Sequence, residues 1–175
     1  IGFMTPRDPI SSANYYQIMA AVNVLSGSMS SRLFTEVREK RGLCYAVGAR
    51  YNSMKEYAGI SCYAGTTPEQ AQETTEVSLE QFHILQKDGT IESEIQKAIV
   101  GLKSTLIMKN ESTANRAAGL ASDQVLLGKV RSIDEIREAI ESLTIDSVNQ
   151  YLTAHPFSNF TAVTIGPSEI QFPTN

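Results

Sequence analysis

At Gly42 the hydrophobic period of the chain changes, and that change constrains the fold more than any other feature. Before it, Leu33, Phe34 and Val37 recur at helical spacing. After it, residues 43–52 alternate, with Leu43, Tyr45, Val47, Ala49 and Tyr51 on one face and Cys44, Ala46, Gly48 and Arg50 on the other. Glycine readily takes the left-handed conformation that closes a helix. The spacing therefore predicts a helix over residues 31–40, a stop at Gly42 and a strand directly behind it. So short a connection folds the strand back toward its helix, as in a domain that packs helices on a sheet.

The flanking periodicities extend the pattern. Residues 1–4 read as a short strand, followed by a breaker-rich turn. Ser11 or Ser12 caps a helix to about residue 25 that buries Tyr15, Ile18, Met19 and Val22. Residues 57–65 are a second extended run, and a short polar turn makes a hairpin with residues 43–52. Cys44 and Cys62 then fall on neighbouring strands, in a register the sequence leaves open. After Pro68 the chain is helical. One helix runs to about residue 87 and ends at Gly89; Thr90 caps the next, which buries Ile95, Ala98, Ile99, Leu102 and Leu106. An alanine-rich helix with Ala114, Ala117, Ala118, Ala121 and Val125 inward predicts close approach to a neighbour, and ends at Gly128. Ser132 caps a helix that buries Ile133, Ile136 and Ile140. Thr144 caps another that buries Val148, Tyr151 and Leu152 and stops at His155-Pro156. Residues 160–165 form a closing strand. The layout predicts a single α+β domain over residues 1–175, a largely antiparallel sheet with helices on one face.

Composition narrows the function classes. A chain of 175 residues builds a sizeable core, burying ~70% of its unfolded surface. A net charge of −4 argues against a nucleic-acid or anionic-membrane partner. No window reaches the ~18 consecutive apolar residues of a membrane span, and no basic-then-apolar leader is visible. We expect a soluble protein of the cytoplasm, with periplasm or organelle matrix as alternatives. Two cysteines make no disulfide framework. The start at Ile1 reads as a piece of a longer polypeptide.

The search for chemistry is largely negative. A catalytic zinc site draws about three ligands from His, Cys, Asp and Glu. His83 and His155 are far apart, and neither belongs to H-E-x-x-H or H-x-x-E-H. Glu80 and His83 have the spacing of di-iron helices, but the motif occurs once where two copies are needed. Cys44 and Cys62 have no adjacent histidine and read as structural. The loop at residues 27–31 lacks a phosphate-loop ending. Arg38 remains, at the shoulder of the buried stripe. It either covers the core and pairs with Glu36 or Glu39, or offers a fixed guanidinium to a ligand. Arg32 reads as a solvent residue. Tyr45 is by default a half-buried strand tyrosine.

The run L-S-G-S-M-S-S-R-L-F-T-E-V-R-E-K-R-G-L-C-Y-A-V, residues 25–47, closely resembles a segment of the pitrilysin/insulinase-type zinc peptidases, nearest to the mitochondrial-processing-peptidase branch and its bacterial relatives. The pattern Thr144-x-Asp146-x-Val148-x-x-Tyr151-Leu152 and the stretch at residues 162–167 resemble that family's late helix and closing strand. The resemblance implies a two-half enzyme. The first half carries H-x-x-E-H and zinc; the second lacks the motif and brings an Arg and a Tyr, spaced R-x6-Y, across the chamber. Arg38 and Tyr45 have that spacing. The resemblance thus implies the C-terminal, non-zinc half of a zinc endopeptidase. Arg38 and Tyr45 would bind substrate, Tyr45 would also stabilise the transition state, and no metal would be held here. Partners would be the zinc-bearing half or a homologous subunit, and a peptide. This chain alone is expected to be inactive. A non-catalytic structural or partner subunit of the same family is the alternative.

Overall fold

The computed structural model describes residues 1–167 and 169–172. Strands Gly2–Arg7 (β1), Ala46–Ser53 (β2), Ala58–Gly65 (β3) and Thr161–Val163 (β4) form one antiparallel sheet in the order β2-β3-β1-β4. The expected hairpin is present. Its register runs from Ala46 opposite Gly65 to Ser53 opposite Ala58, and the Met54 amide donates to the Tyr57 carbonyl at 2.7 Å to close the turn. β1 lies between β3 and β4, with Phe3 opposite both Cys62 and Ala162. It runs past the expected residue 4 because β3 continues to offer partners as far as Ala58. The closing strand is shorter than expected. Asn159 takes a φ of 52°, which turns the chain before the ladder starts at Thr161.

Side chains alternate across a strand, so the sheet has two unlike faces. Phe3, Thr5, Ala49, Ile60 and Cys62 point under the helices and are buried. Met4, Tyr63 and Val163 stand on the other face, which is open: they are 48%, 55% and 65% exposed.

The helices are Tyr15–Ser26 (α1), Ala71–Asp88 (α2), Glu92–Glu111 (α3), Thr113–Leu127 (α4), Ile133–Glu141 (α5) and Ile145–Ala154 (α6). They pack on one face of the sheet, as expected. α1 is central, lying against β2, α3 and α6. Its buried set is Ile18, Ala20, Ala21, Val22, Val24 and Leu25, wider than the single predicted face, because the alanines let neighbours approach on two sides. Phe82 of α2 is fully buried, with Phe3 and Phe157 edge-on at 5.3 and 5.2 Å. Such rings contribute both burial and favourable edge-to-face geometry.

Ser132 and Thr144 cap α5 and α6 as predicted, each accepting an amide proton at 3.1 Å. α1 instead starts at Tyr15, and Ser12 accepts from the Asn14 amide, two residues too early to cap it. The residue preceding α3 is Ile91; Thr90 instead donates its hydroxyl to the Asn149 side chain at 2.9 Å, and the Glu94 carboxylate accepts from the Ile91 amide at 3.1 Å. The largest departure is α4. Ala114, Ala117, Ala118, Ala121 and Val125 are exposed, and the only buried residue of α4 is Asp123. Among the described residues α4 packs chiefly on α3, and its alanine stripe stays exposed. In α5 only Ile140 is buried, while Ile133 is 46% exposed.

Candidate functional site

The predicted helix over residues 31–40 forms, but most of it is a π-helical turn, Phe34–Glu39. Lys40 donates to the Thr35 carbonyl at 2.9 Å, five residues back. Single π turns recur at functional sites because they widen the helix and re-aim side chains. Leu33 and Val37 anchor the turn in the core at 0% exposure. Its end is an αL stop at glycine, widened by one residue. The Gly42 amide bonds the Arg38 carbonyl and the Leu43 amide bonds the Val37 carbonyl, both at 3.0 Å, with Gly42 at φ 63°. These bonds fold residues 43–45 back against the helix.

Leu43 and Cys44 are both buried, and Tyr45 is 70% exposed. This corrects the predicted alternation, which placed Tyr45 on the same face as Val47 and Ala49 and half-buried. The Thr66 and Thr74 hydroxyls both donate to the Leu43 carbonyl, which is therefore drawn toward the start of α2 and away from the ladder. Regular pairing begins only when the Tyr45 amide donates to the Gly65 carbonyl at 2.9 Å. The phase restarts there, and Tyr45 lands on the open face.

On that face Tyr45 has a built seat. Its ring lies on Gly65, where a Cβ would come within 2.3 Å of Tyr45 Cζ. Its hydroxyl is 3.4 Å from that of Tyr63. The two tyrosines and Gly65 line a cleft of about 500 Å³, shared with Thr66, Val163 and Ile165. Tyr63 and Gly65 were not picked out from sequence. The signal was their shared parity in residues 57–65, but it acquires meaning only once the register sets Gly65 beside Ala46.

The cations around the turn divide sharply. Arg32, expected in solvent, is mostly buried and grips Glu94 with two bonds of 2.7 Å while also donating to the Gly89 carbonyl at 2.8 Å. Glu36 pairs with Lys40 and Arg41, and their hydrogen bonds hold its pKa below the usual carboxylate value. Arg38 therefore does not take the expected Glu36 or Glu39 partner. Its guanidinium carbon stands 4.8 Å from the Phe34 ring centroid, it is exposed, and among the described residues no carboxylate pairs with it. No hydrogen bond joins the Arg38 and Tyr45 side chains.

Burial pushes the Cys62 thiol up to about 12, with nearby Cys44 adding to the effect. Burial also raises Cys44, against the opposing charge of Arg38. Neither is an activated nucleophile, in keeping with the structural reading. His155 stacks on Tyr151 at 4.6 Å, its Nδ1 lies 3.2 Å from the Tyr151 carbonyl, and its Nε2 lies 3.6 Å from Asp8. His83 packs against Phe160. Among the described residues no three His, Cys, Asp or Glu side chains converge to hold a metal. A zinc ion does not fit the donor set of the described residues.

The Peptidase M16 inactive domain family matches residues 2–102, and the chain belongs to that family. It is 34% identical over 134 residues to the uncharacterized zinc protease YmxG of Bacillus subtilis, covering 77% of this chain and 33% of that one. An uncharacterized zinc protease of Mycobacterium tuberculosis is 32% identical over 143 residues, 82% of this chain and 33% of that one. The chain thus spans about a third of the length of these relatives. The peptidase M16 inactive domain from Pseudomonas fluorescens superposes with a TM-score of 0.78 at 21% identity, covering 98% of this chain and 42% of that one. A chain of complex III2 from Candida albicans superposes at 0.78 with 16% identity, covering 87% and 39%. At these identities the structural likenesses show the fold. Among the described residues no helix is long and apolar enough to cross a membrane.

Proposed function

We propose that this domain is the substrate-binding, non-zinc half of a zinc endopeptidase, with Arg38 and Tyr45 as its contribution to a divided active site. The observation that carries the reading is the contrast among the cations of the turn. Arg32, Lys40 and Arg41 are spent on carboxylates, while Arg38 is exposed and lacks one among the described residues. An uncompensated guanidinium stacked on Phe34 is a preorganised donor for a peptide carbonyl or a substrate carboxylate. Tyr45 adds a hydroxyl on the open face, its ring seated on Gly65. A phenol aimed at the scissile carbonyl donates a hydrogen bond to the negative charge that develops there, which is where a fixed donor stabilises most. The metal and the general base belong to another domain or subunit, in keeping with the lack of a metal donor set among the described residues. The chain alone is then inactive.

The two residues should separate kinetically. In the full-length peptidase, Arg38→Ala is expected to raise KM about tenfold or more with a smaller change in kcat, the pattern of lost ground-state binding. Steady-state kinetics on a fluorogenic peptide measure this. Unaltered KM and kcat would remove Arg38 from the site.

A further inference from the structure

Helices α4 and α5 both lean on α3 and leave a cleft between them, beside the first turns of α1. Its volume is about 510 Å³, within the ~300–1,000 Å³ of small-molecule sites. The floor is Leu102 and Leu106 of α3 with Ile136 and Ile140 of α5, all packed against the core. Leu120 of α4 and Ile133 of α5 line the sides and are 50% and 46% exposed. Gly119 also lines the α4 side, and a Cβ added there would meet no atom within 4 Å. Scattered exposed apolar residues are ordinary, but here they converge on one concavity.

The polar groups of the cleft divide into a locked set and a free set. Asp123 is buried and both of its oxygens accept from Arg131, at 2.7 and 3.0 Å; Arg131 also donates to the Tyr16 hydroxyl at 3.2 Å. Arg131 is thereby spent. Lys109 of α3 and Arg116 of α4 are exposed at the rim, and among the described residues neither is paired with a carboxylate. The lining carries three cations against one carboxylate, a net +2 in a chain of −4. Such a mouth attracts an anion, and the floor below it gains from covering apolar surface. The sides are helices, whose backbone groups are bonded within the helix. An extended peptide laid there would leave its own amides unpaired, whereas an aliphatic chain has none to satisfy. We propose that the cleft binds one monomeric fatty carboxylate of medium chain length, its head held by Lys109 and Arg116 and its chain over Leu102, Leu106 and Ile136. The cleft shares no residue with the one that Tyr45 lines, so this goes beyond the proposed peptidase role and does not depend on it.

Isothermal titration of the full-length protein with decanoate, below its micellar concentration, tests this. One decanoate per chain is expected to bind, with a Kd of ~10–100 μM. The double variant Lys109→Gln, Arg116→Gln should weaken decanoate about tenfold and leave binding of the uncharged decanol unchanged. Gly119→Leu places a side chain in the open cleft and should weaken both ligands at least about tenfold. Leucine is a better helix former than glycine, so the variant should melt no lower than wild type. The charge variant gives its reading independently of that substitution. No saturable binding of decanoate overturns the proposal, and so does binding that Gly119→Leu leaves unaltered. Decanol bound as tightly as decanoate overturns the role of the two cations. A dimer that Gly119→Leu dissociates assigns the cleft to a second copy, and adsorption to phosphatidylglycerol vesicles that Gly119→Leu abolishes assigns it to a membrane; either result also overturns the proposal.

Discussion

Tyr45 and Arg38 act through what their neighbours leave free. The Tyr45 ring occupies the space that a side chain at residue 65 would fill, so Gly65→Ala displaces the ring and little else. Because Tyr45 is 70% exposed the ring has room to move, and we expect stability within about 0.5 kcal/mol of wild type. Activity of the full-length enzyme should nevertheless fall toward that of Tyr45→Phe; thermal melts and kinetics on one preparation separate the two effects. Arg32 and Glu94 make the opposite case, a pair that is structural. Burial raises the Glu94 pKa, but hydrogen bonds from Arg32 and the Ile91 amide outweigh it and leave the carboxyl below its ordinary 4.5. A depressed folded-state pKa contributes stability above the unfolded value, and that stability is lost as pH falls through the folded value. The wild-type domain should therefore lose stability as pH drops below 4.5, and Glu94→Gln should flatten that slope. At neutral pH Glu94→Gln should cost about 2–3 kcal/mol, below the range for a fully buried pair because both partners keep some solvent. Denaturant melts at two pH values check both statements.

At the scale of elements, the π turn and its glycine stop aim the site. Gly42 holds φ 63° with open space around the position of a Cβ, so Gly42→Ala carries only the cost of the left-handed backbone, about 1 kcal/mol. Chemical denaturation of the domain measures it. The turn was half legible in the sequence. The helical spacing of Leu33 and Val37 and the stop at Gly42 predicted the helix and its end. The π character left no mark, because a widened turn keeps the same apolar residues inward. The face of Tyr45 was misread for a related reason. Alternation was extrapolated through residues 43–45, where the Thr66 and Thr74 hydroxyls hold the Leu43 carbonyl outside the ladder. That contact joins segments more than twenty residues apart and has no local signature. The arginines were exchanged in role for the same kind of reason, since Glu94 lies 62 positions from Arg32.

At the scale of the molecule, the α+β class and the one-sided helical layer followed from periodicity alone, because each element buries a single stripe or face. The prediction failed at α4, whose alanines are exposed. The alanines of α4 were read as a close contact, and small residues do favour one, but nothing among the described residues supplies it. The sheet is covered by helices on one face only, and Tyr45 stands on its open face. The central claim is that the open face completes an active site whose metal lies elsewhere. The most direct test is kcat for Tyr45→Phe in the full-length peptidase, with zinc content determined on the same sample. We predict a loss on the order of 10²–10³, about 3–4 kcal/mol, with KM and bound zinc unchanged. A kcat equal to wild type at full zinc occupancy would contradict it.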